Sequence, residues 1–201
     1  MIYCSIDIET TGLNPETCDV LQFAAIIDNL SNPQPLENLP KFEALFTKDE
    51  PYCGDPHALS MHSQLFRRIA DAKKNNLEKC SQTGAHFMQI SELPKALFAF
   101  FKENNLTSSF NGRFYVTAAG KNLGTFDLPF LRAKIKNWSG ISFLQRVLDP
   151  AILYLDLSKD TQLPDMQTCL ERAGMSDTVA HTAIEDAMVV VQLLRKKLLP
   201  S

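Results

Sequence analysis

Residues 5–14 read SIDIETTGLN, two acids set into what is otherwise an apolar strand. From residue 2 onward Ile2, Cys4, Ile6 and Ile8 alternate with Tyr3, Ser5, Asp7 and Glu9, the two-residue period of a strand. Asp7 and Glu9 therefore project from one face at the carboxyl-proximal strand end, where open α/β sheets place their sites. Two carboxylates so close repel, and burial worsens it, so they must be protonated, solvated or neutralised by a cation. A lone Asp-x-Glu is more often a solvated strand face, so a site requires further acids converging from elsewhere.

Working outward, the turn-rich TTGLNPETCD leads to VLQFAAIID (residues 20–28), a second strand, and FEALFT (42–47) is a weaker third, which together predict a meander. NLSNPQPLENLP (29–40) reads as a surface connection, residues 58–72 as a helix, and residues 71–84 as an exposed link. Ser91 is the expected cap of a helix whose Leu93, Ala96, Leu97, Phe100 and Phe101 form a stripe facing a sheet. FYVTAAG (114–120) reads as one short buried strand. Asp127 then falls where the strand gives way to a helix with Pro129 in its first turn. The segment 143–156 suggests a strand to Asp149 and a helix after Pro150; residues 163–174 form a helix ended by Gly174, and 183–199 a final one. Strands first, then helix and strand in alternation, define an α/β chain with a mixed sheet and helices on both faces, read as a single domain over residues 1–201.

Two further acids are candidates, Asp127 and, in AHTAIEDA, Asp186. On one continuous helix His181 and Asp186 would lie roughly 140° apart and could not share a site. Thr182-x-x-Glu185 has the pattern of a capping box, however, which makes Thr182 the N-cap and leaves His181 in the preceding loop, free to turn toward Asp186. Four carboxylates without thiolates suit hard divalent ions such as Mg2+ or Mn2+. Two such ions about 4 Å apart can hold a phosphodiester for in-line hydrolysis. An imidazole that titrates near neutrality can take the proton from water, the role open to His181.

SIDIETTGLN, GKNLGTFDLPFL (120–131) and AHTAIEDA resemble, in order and spacing, the three motifs of the DEDDh 3′-to-5′ exonucleases, the group containing polymerase III epsilon proofreading subunits, ribonuclease T and oligoribonuclease. The likeness covers nearly the whole chain. It implies a ribonuclease H-like fold and removal of nucleoside 5′-monophosphates from a 3′ end with two Mg2+ or Mn2+. By that resemblance Asp7 bridges both ions, Glu9 and Asp186 complete one site, Asp127 acts largely through water at the other, and His181 is the general base. Thr10, in a turn shared with Thr11 and Gly12, approaches the terminal nucleotide through its backbone, and Leu13 packs against the last bases. Met61 and His62 are candidate stacking residues, and Asn122 and Phe126 candidate substrate contacts. Gln22 stands where the family often carries Glu, a departure that leaves the metal ligands intact.

With 201 residues and a net charge of -3, the chain has no broad basic surface to coat a duplex or an anionic membrane, so a nucleic-acid partner would be held locally, by a chain end or through metal ions. Five cysteines (Cys4, Cys18, Cys53, Cys80, Cys169), odd in number and without a CxxC pair, argue against a disulfide framework or a thiolate zinc site. Lacking a cationic leader or a long apolar run, the chain is expected to be cytoplasmic. His57, His62 and His86 read as surface or loop residues, and the clusters Arg67-Arg68 and Arg195-Lys196-Lys197 as solvated helix faces. The expected partner is a single-stranded 3′ end, with DNA favoured slightly over RNA; a polymerase or replication partner is compatible, and monomer and homodimer stay undecided. The rival readings are an RNA exonuclease of the ribonuclease T or oligoribonuclease type and a non-catalytic nucleic-acid-binding protein on the same fold.

Overall fold

The computed structural model describes residues 1–106, 109–176 and 182–199. Its centre is the expected meander: β1 (Ile2–Thr10), β2 (Val20–Asn29) and β3 (Lys41–Phe46) pair antiparallel, with Glu9 opposite Gln22 and Ala24 opposite Glu43. The connection between β2 and β3 is a loop with one short 3-10 turn. Helix α1 (Pro56–Met61) and helix α2 (Ser63–Asn75) replace the single helix expected over 58–72, the break falling at His62. Asp55 caps α1 through His57 N and Ala58 N, and Asn76, in the left-handed conformation, ends α2.

Strand β4 (His86–Met88) adds parallel to β3 at one sheet edge. Helix α3 (Leu93–Glu103) follows a 3-10 turn, and its entry is closed by Gln89 and Glu92 in a capping box rather than by Ser91. The stretch 114–120 is two strands, not one. After β5 (Ser109–Phe110), β6 (Arg113–Val116) pairs in a small second sheet with β8 (Ile141–Phe143), whereas β7 (Ala118–Ala119) pairs parallel with β1. Gly120 then passes so close to β1 that a Cβ there would lie 2.7 Å from the Ile6 carbonyl oxygen. Helices α4 (Asp127–Lys134), α5 (Pro150–Leu153), α6 (Met166–Arg172) and α7 (Ala183–Leu198) complete the chain, with Gly174 at φ 62° past the end of α6.

Both faces of β1 are covered. Cys4, Ile6 and Ile8 share a core with Phe23, Ala25, Phe42 and the α3 stripe of Leu93, Leu97, Phe100 and Phe101. On the opposite face Tyr3 packs with Ala24 and Ile26 against Ala183, Ala187, Val190, Val191 and Leu194 of α7. Each such large side chain contributes about 1.5–3 kcal/mol on leaving water, so α7 is held mainly by this stripe. Polar ties fix its register: the Ser5 hydroxyl donates to Ala187 O (2.8 Å), and Asp28 accepts from Arg195 Nε (3.0 Å) and from the Tyr3 hydroxyl (2.8 Å). Burial works against the Asp28 carboxylate, but these bonds outweigh it and hold its pKa below the usual range. Arg195 is therefore a half-buried anchor and not part of a solvated basic face. Among the described residues no helix is long and apolar enough to cross a membrane.

Candidate active site

The face of β1 under α7 changes character along its length. Tyr3 and Ser5 are sealed beneath the helix, while Asp7 and Glu9, two and four residues further on, emerge at its N-terminal end. There Asp186, in the first turn of α7, meets them: Asp7, Glu9 and Asp186 each offer a carboxylate oxygen, all within 4.8 Å of one another. Asp127 begins α4 and comes from the other direction. It is 3% exposed, and its Oδ1 accepts from Ile8 N (3.2 Å), the amide between the two strand acids.

Burial and crowding leave their mark on three of these acids. Burial, then the charges of Asp127, Asp186 and Glu9, pushes the Asp7 carboxyl well above the ordinary range. Burial, with Asp186 and Asp127 adding to it, pushes Glu9 up to about 8. Burial raises Asp127 to about 7 against the pull of its own amide and that of Ile8. The cluster is thus an electrostatic load that protons or a cation must relieve. Its donors are all oxygen, with no sulfur among them, which fits a hard divalent cation.

Beside the acids opens a cleft of about 960 Å³ whose walls include Glu9, Thr10, Leu13, Met61, His62 and Phe126. Leu13 is 84% exposed at its rim and Met61 stands out from the end of α1. Phe126 is half-buried, with its ring 5.0 Å from that of Phe130, so it packs on the core and lines the cleft at once. Gly12 also lines it, and a Cβ there would meet Cys18 Sγ at 2.7 Å, so the turn admits no side chain. The Thr10 hydroxyl donates to Gly12 O (2.7 Å), closing that turn.

Three candidates are placed differently from expectation. His62 is no surface residue: it is 8% exposed, with Nε2 3.5 Å from Glu9 Oε2, so it borders the acids rather than standing free to stack. Thr11 is fully buried and does not line the cleft; its hydroxyl donates to Cys53 O and accepts from Asp19 N, because the turn needs both bonds to close. Asn122, with φ 56°, shapes the turn before α4, its carbonyl accepting from Thr125 N and Phe126 N, and it is not among the residues lining the cleft. His181 lies outside the described residues.

Two supporting residues escaped the sequence reading of the site. Asp149 caps α5 through Ala151 N (2.9 Å) and also accepts from Asn122 N (2.9 Å), holding the loop that carries Asp127. The Leu-Asp-Pro pattern signals the cap; nothing signals the second bond. Glu43 accepts from Gln22 Nε2 (2.8 Å) and Arg68 Nη2 (3.1 Å), so Arg68 too is anchored, not a solvated cation.

The mixed sheet with helices on both faces is a ribonuclease H-like fold, and solved structures share it. One is described as the structure of exonuclease I that suggests how processivity is achieved: TM-score 0.60, 15% identity, covering 98% of this chain and 41% of that one. A second is a moderately thermophilic exonuclease I from Methylocaldum szegediense, with TM-score 0.59, 16% identity, and coverage of 97% and 40%. The chain thus spans about two fifths of the length of these neighbours, and the likeness establishes the fold. No protein-family model and no curated protein sequence matches the chain. Both of these neighbours are exonuclease I.

Proposed function

We propose that the chain is a metal-dependent 3′-to-5′ exonuclease acting on single-stranded ends, DNA slightly before RNA, and releasing nucleoside 5′-monophosphates. The observation that carries this reading is the meeting of Asp7, Glu9 and Asp186 oxygens within 4.8 Å, with Asp127 bonded to Ile8 N beside them and the cleft adjoining. Mutually repelling buried acids are costly to a fold, and their convergence from β1, α4 and α7 is hard to explain without a cation.

Asp7, Glu9 and Asp186 would hold one Mg2+ or Mn2+, and Asp7 with Asp127 a second. Such a pair, when bound, lowers the pKa of water and neutralises the leaving oxygen of an in-line displacement. Asp7 would then contribute to both, and His181, preceding Thr182 in the sequence, would take the proton from the attacking water. Leu13, Met61 and Phe126 offer apolar surface to the terminal bases, which suits recognition tolerant of sequence. The Gly12 turn lets backbone approach the last nucleotide closely.

A 5′-labelled oligonucleotide should shorten stepwise with Mg2+ or Mn2+, stop on chelation, and persist with Asp7→Asn. Comparing single-stranded DNA with RNA of the same sequence ranks the substrates. Binding without cleavage under either metal would favour the non-catalytic reading, and cleavage by Asp7→Asn under excess chelator would end this one.

A further inference from the structure

The start of α7, which delivers Asp186, is not capped in the way its sequence suggests. Thr182 is the N-cap, but its hydroxyl binds the Glu185 carboxylate directly and serves none of the backbone amides of the first turn. The first of them, Ala183 N, donates instead to Gln22 Oε1 on β2 (3.2 Å), a residue 161 positions away and fully buried. The other end of the same amide, Gln22 Nε2, donates to Glu43 on β3, which Arg68 of α2 also holds. Which end of Gln22 is oxygen follows from its partners, since the carboxylate can only accept and the amide N–H can only donate.

From these bonds we infer that Gln22 is a positioning residue for the metal site: it sets the height of the α7 N-terminus over the sheet, and so where the Asp186 carboxylate sits. Asp186 follows Ala183 by three residues, about 4.5 Å along the axis and within roughly 60° around it. A shift of Ala183 is therefore passed to Asp186 almost undiminished. Gln22 also stands directly opposite Glu9 in the β1–β2 register, so the bond joins the strand that backs one ligand to the helix that carries another.

The chemistry restricts what can stand at 22. The side chain must donate to an acid and accept from an amide, from a depth that Ser or Thr does not reach. An acid at 22 would face Glu43 at hydrogen-bond distance and add charge beside Glu9. Glutamine meets both demands while neutral.

This inference rests on the metal-site reading above. Its test is the Mn2+ concentration for half-saturation, measured by electron paramagnetic resonance without nucleic acid. Gln22→Met keeps the reach and loses both bonds; it should raise that midpoint about tenfold, the scale of loss when a ligand's outer support is removed. Leu194→Ala, on the buried stripe toward the far end of α7, is the control: it lowers the melting temperature but should leave the midpoint within about twofold. Gln22→Glu paired with Glu43→Gln reverses donor and acceptor at constant net charge and serves if Gln22→Met fails to fold. The pair keeps both bonds and moves one negative charge toward Glu9, so the midpoint should stay or fall and not rise. An unshifted Gln22→Met, an equal shift in Leu194→Ala, or a midpoint raised about tenfold in the reversed pair would overturn the assignment alone. A wild-type chain that binds no Mn2+ would overturn it together with the metal site.

Discussion

Replacing Glu9 by Gln should make the metal-free protein more stable at neutral pH, not less. Burial and the neighbouring Asp186 and Asp127 raise the Glu9 carboxyl from 4.5 to about 8 in the folded chain. The folded state then binds a proton that the unfolded state releases, so this contribution is fully present below pH 4.5 and is lost as pH rises through about 8. At 1.36 kcal/mol per pH unit, ionising Glu9 costs the fold about 3 kcal/mol by pH 7 and about 5 kcal/mol beyond pH 8. That is a large share of the roughly 5–15 kcal/mol that holds a typical domain together. Urea unfolding in EDTA, followed by circular dichroism from pH 5 to pH 8, should therefore show wild-type stability falling with pH and the Glu9→Gln curve distinctly flatter. Saturating Mg2+ replaces the proton as the neutralising charge and should flatten the wild-type curve as well, adding about 2.7 kcal/mol at one hundred times its dissociation constant. Equal slopes for wild type and Glu9→Gln in EDTA would refute the reasoning, since they would mean that Glu9 ionises without cost.

Two other perturbations separate shape from chemistry. Leu13→Ala removes a side chain that is 84% exposed at the cleft rim, so the melting temperature should stay within about a degree while KM for a single-stranded oligonucleotide rises severalfold in steady-state assays. Gly120→Ala drives a methyl to 2.7 Å from the Ile6 carbonyl, between β7 and the strand that carries Asp7, and should cost about 1–3 kcal/mol in a thermal melt.

The acids were legible in the sequence because their signal is local. A period of two along residues 2–9 places Asp7 and Glu9 on one face, and a strand-to-helix switch at Asp127 needs only the apolar run before it and Pro129 after it. The meander was legible for the same reason, each strand announced by its own β-branched and aromatic residues. What stayed hidden depends on partners remote in the chain. Residues 114–120 read as one strand, but Val116 and Ala118 find different neighbours, β8 and β1, and no feature between them marks the change. His62 read as a surface residue because nothing near it in sequence shows that the break between α1 and α2 turns it toward Glu9.

The start of α7 shows how far a local reading can be right and still miss the physics. Thr182 and Glu185 do sit where a capping box puts them, and the helix does begin at Ala183. Yet the orphan amide is satisfied from β2, because an N-terminus sunk against a sheet meets the sheet's side chains before it meets its own. A helix capped from within itself would begin at the same residue but could slide on its apolar stripe. Capped from β2, with Ser5 bonded to Ala187 and Asp28 to Arg195 further along, it is pinned at three points down its length. Only a pinned helix can deliver a carboxylate to within 4.8 Å of two others that repel it. The polar ties across this otherwise apolar interface are thus best understood as the structural counterweight to the charge the site concentrates.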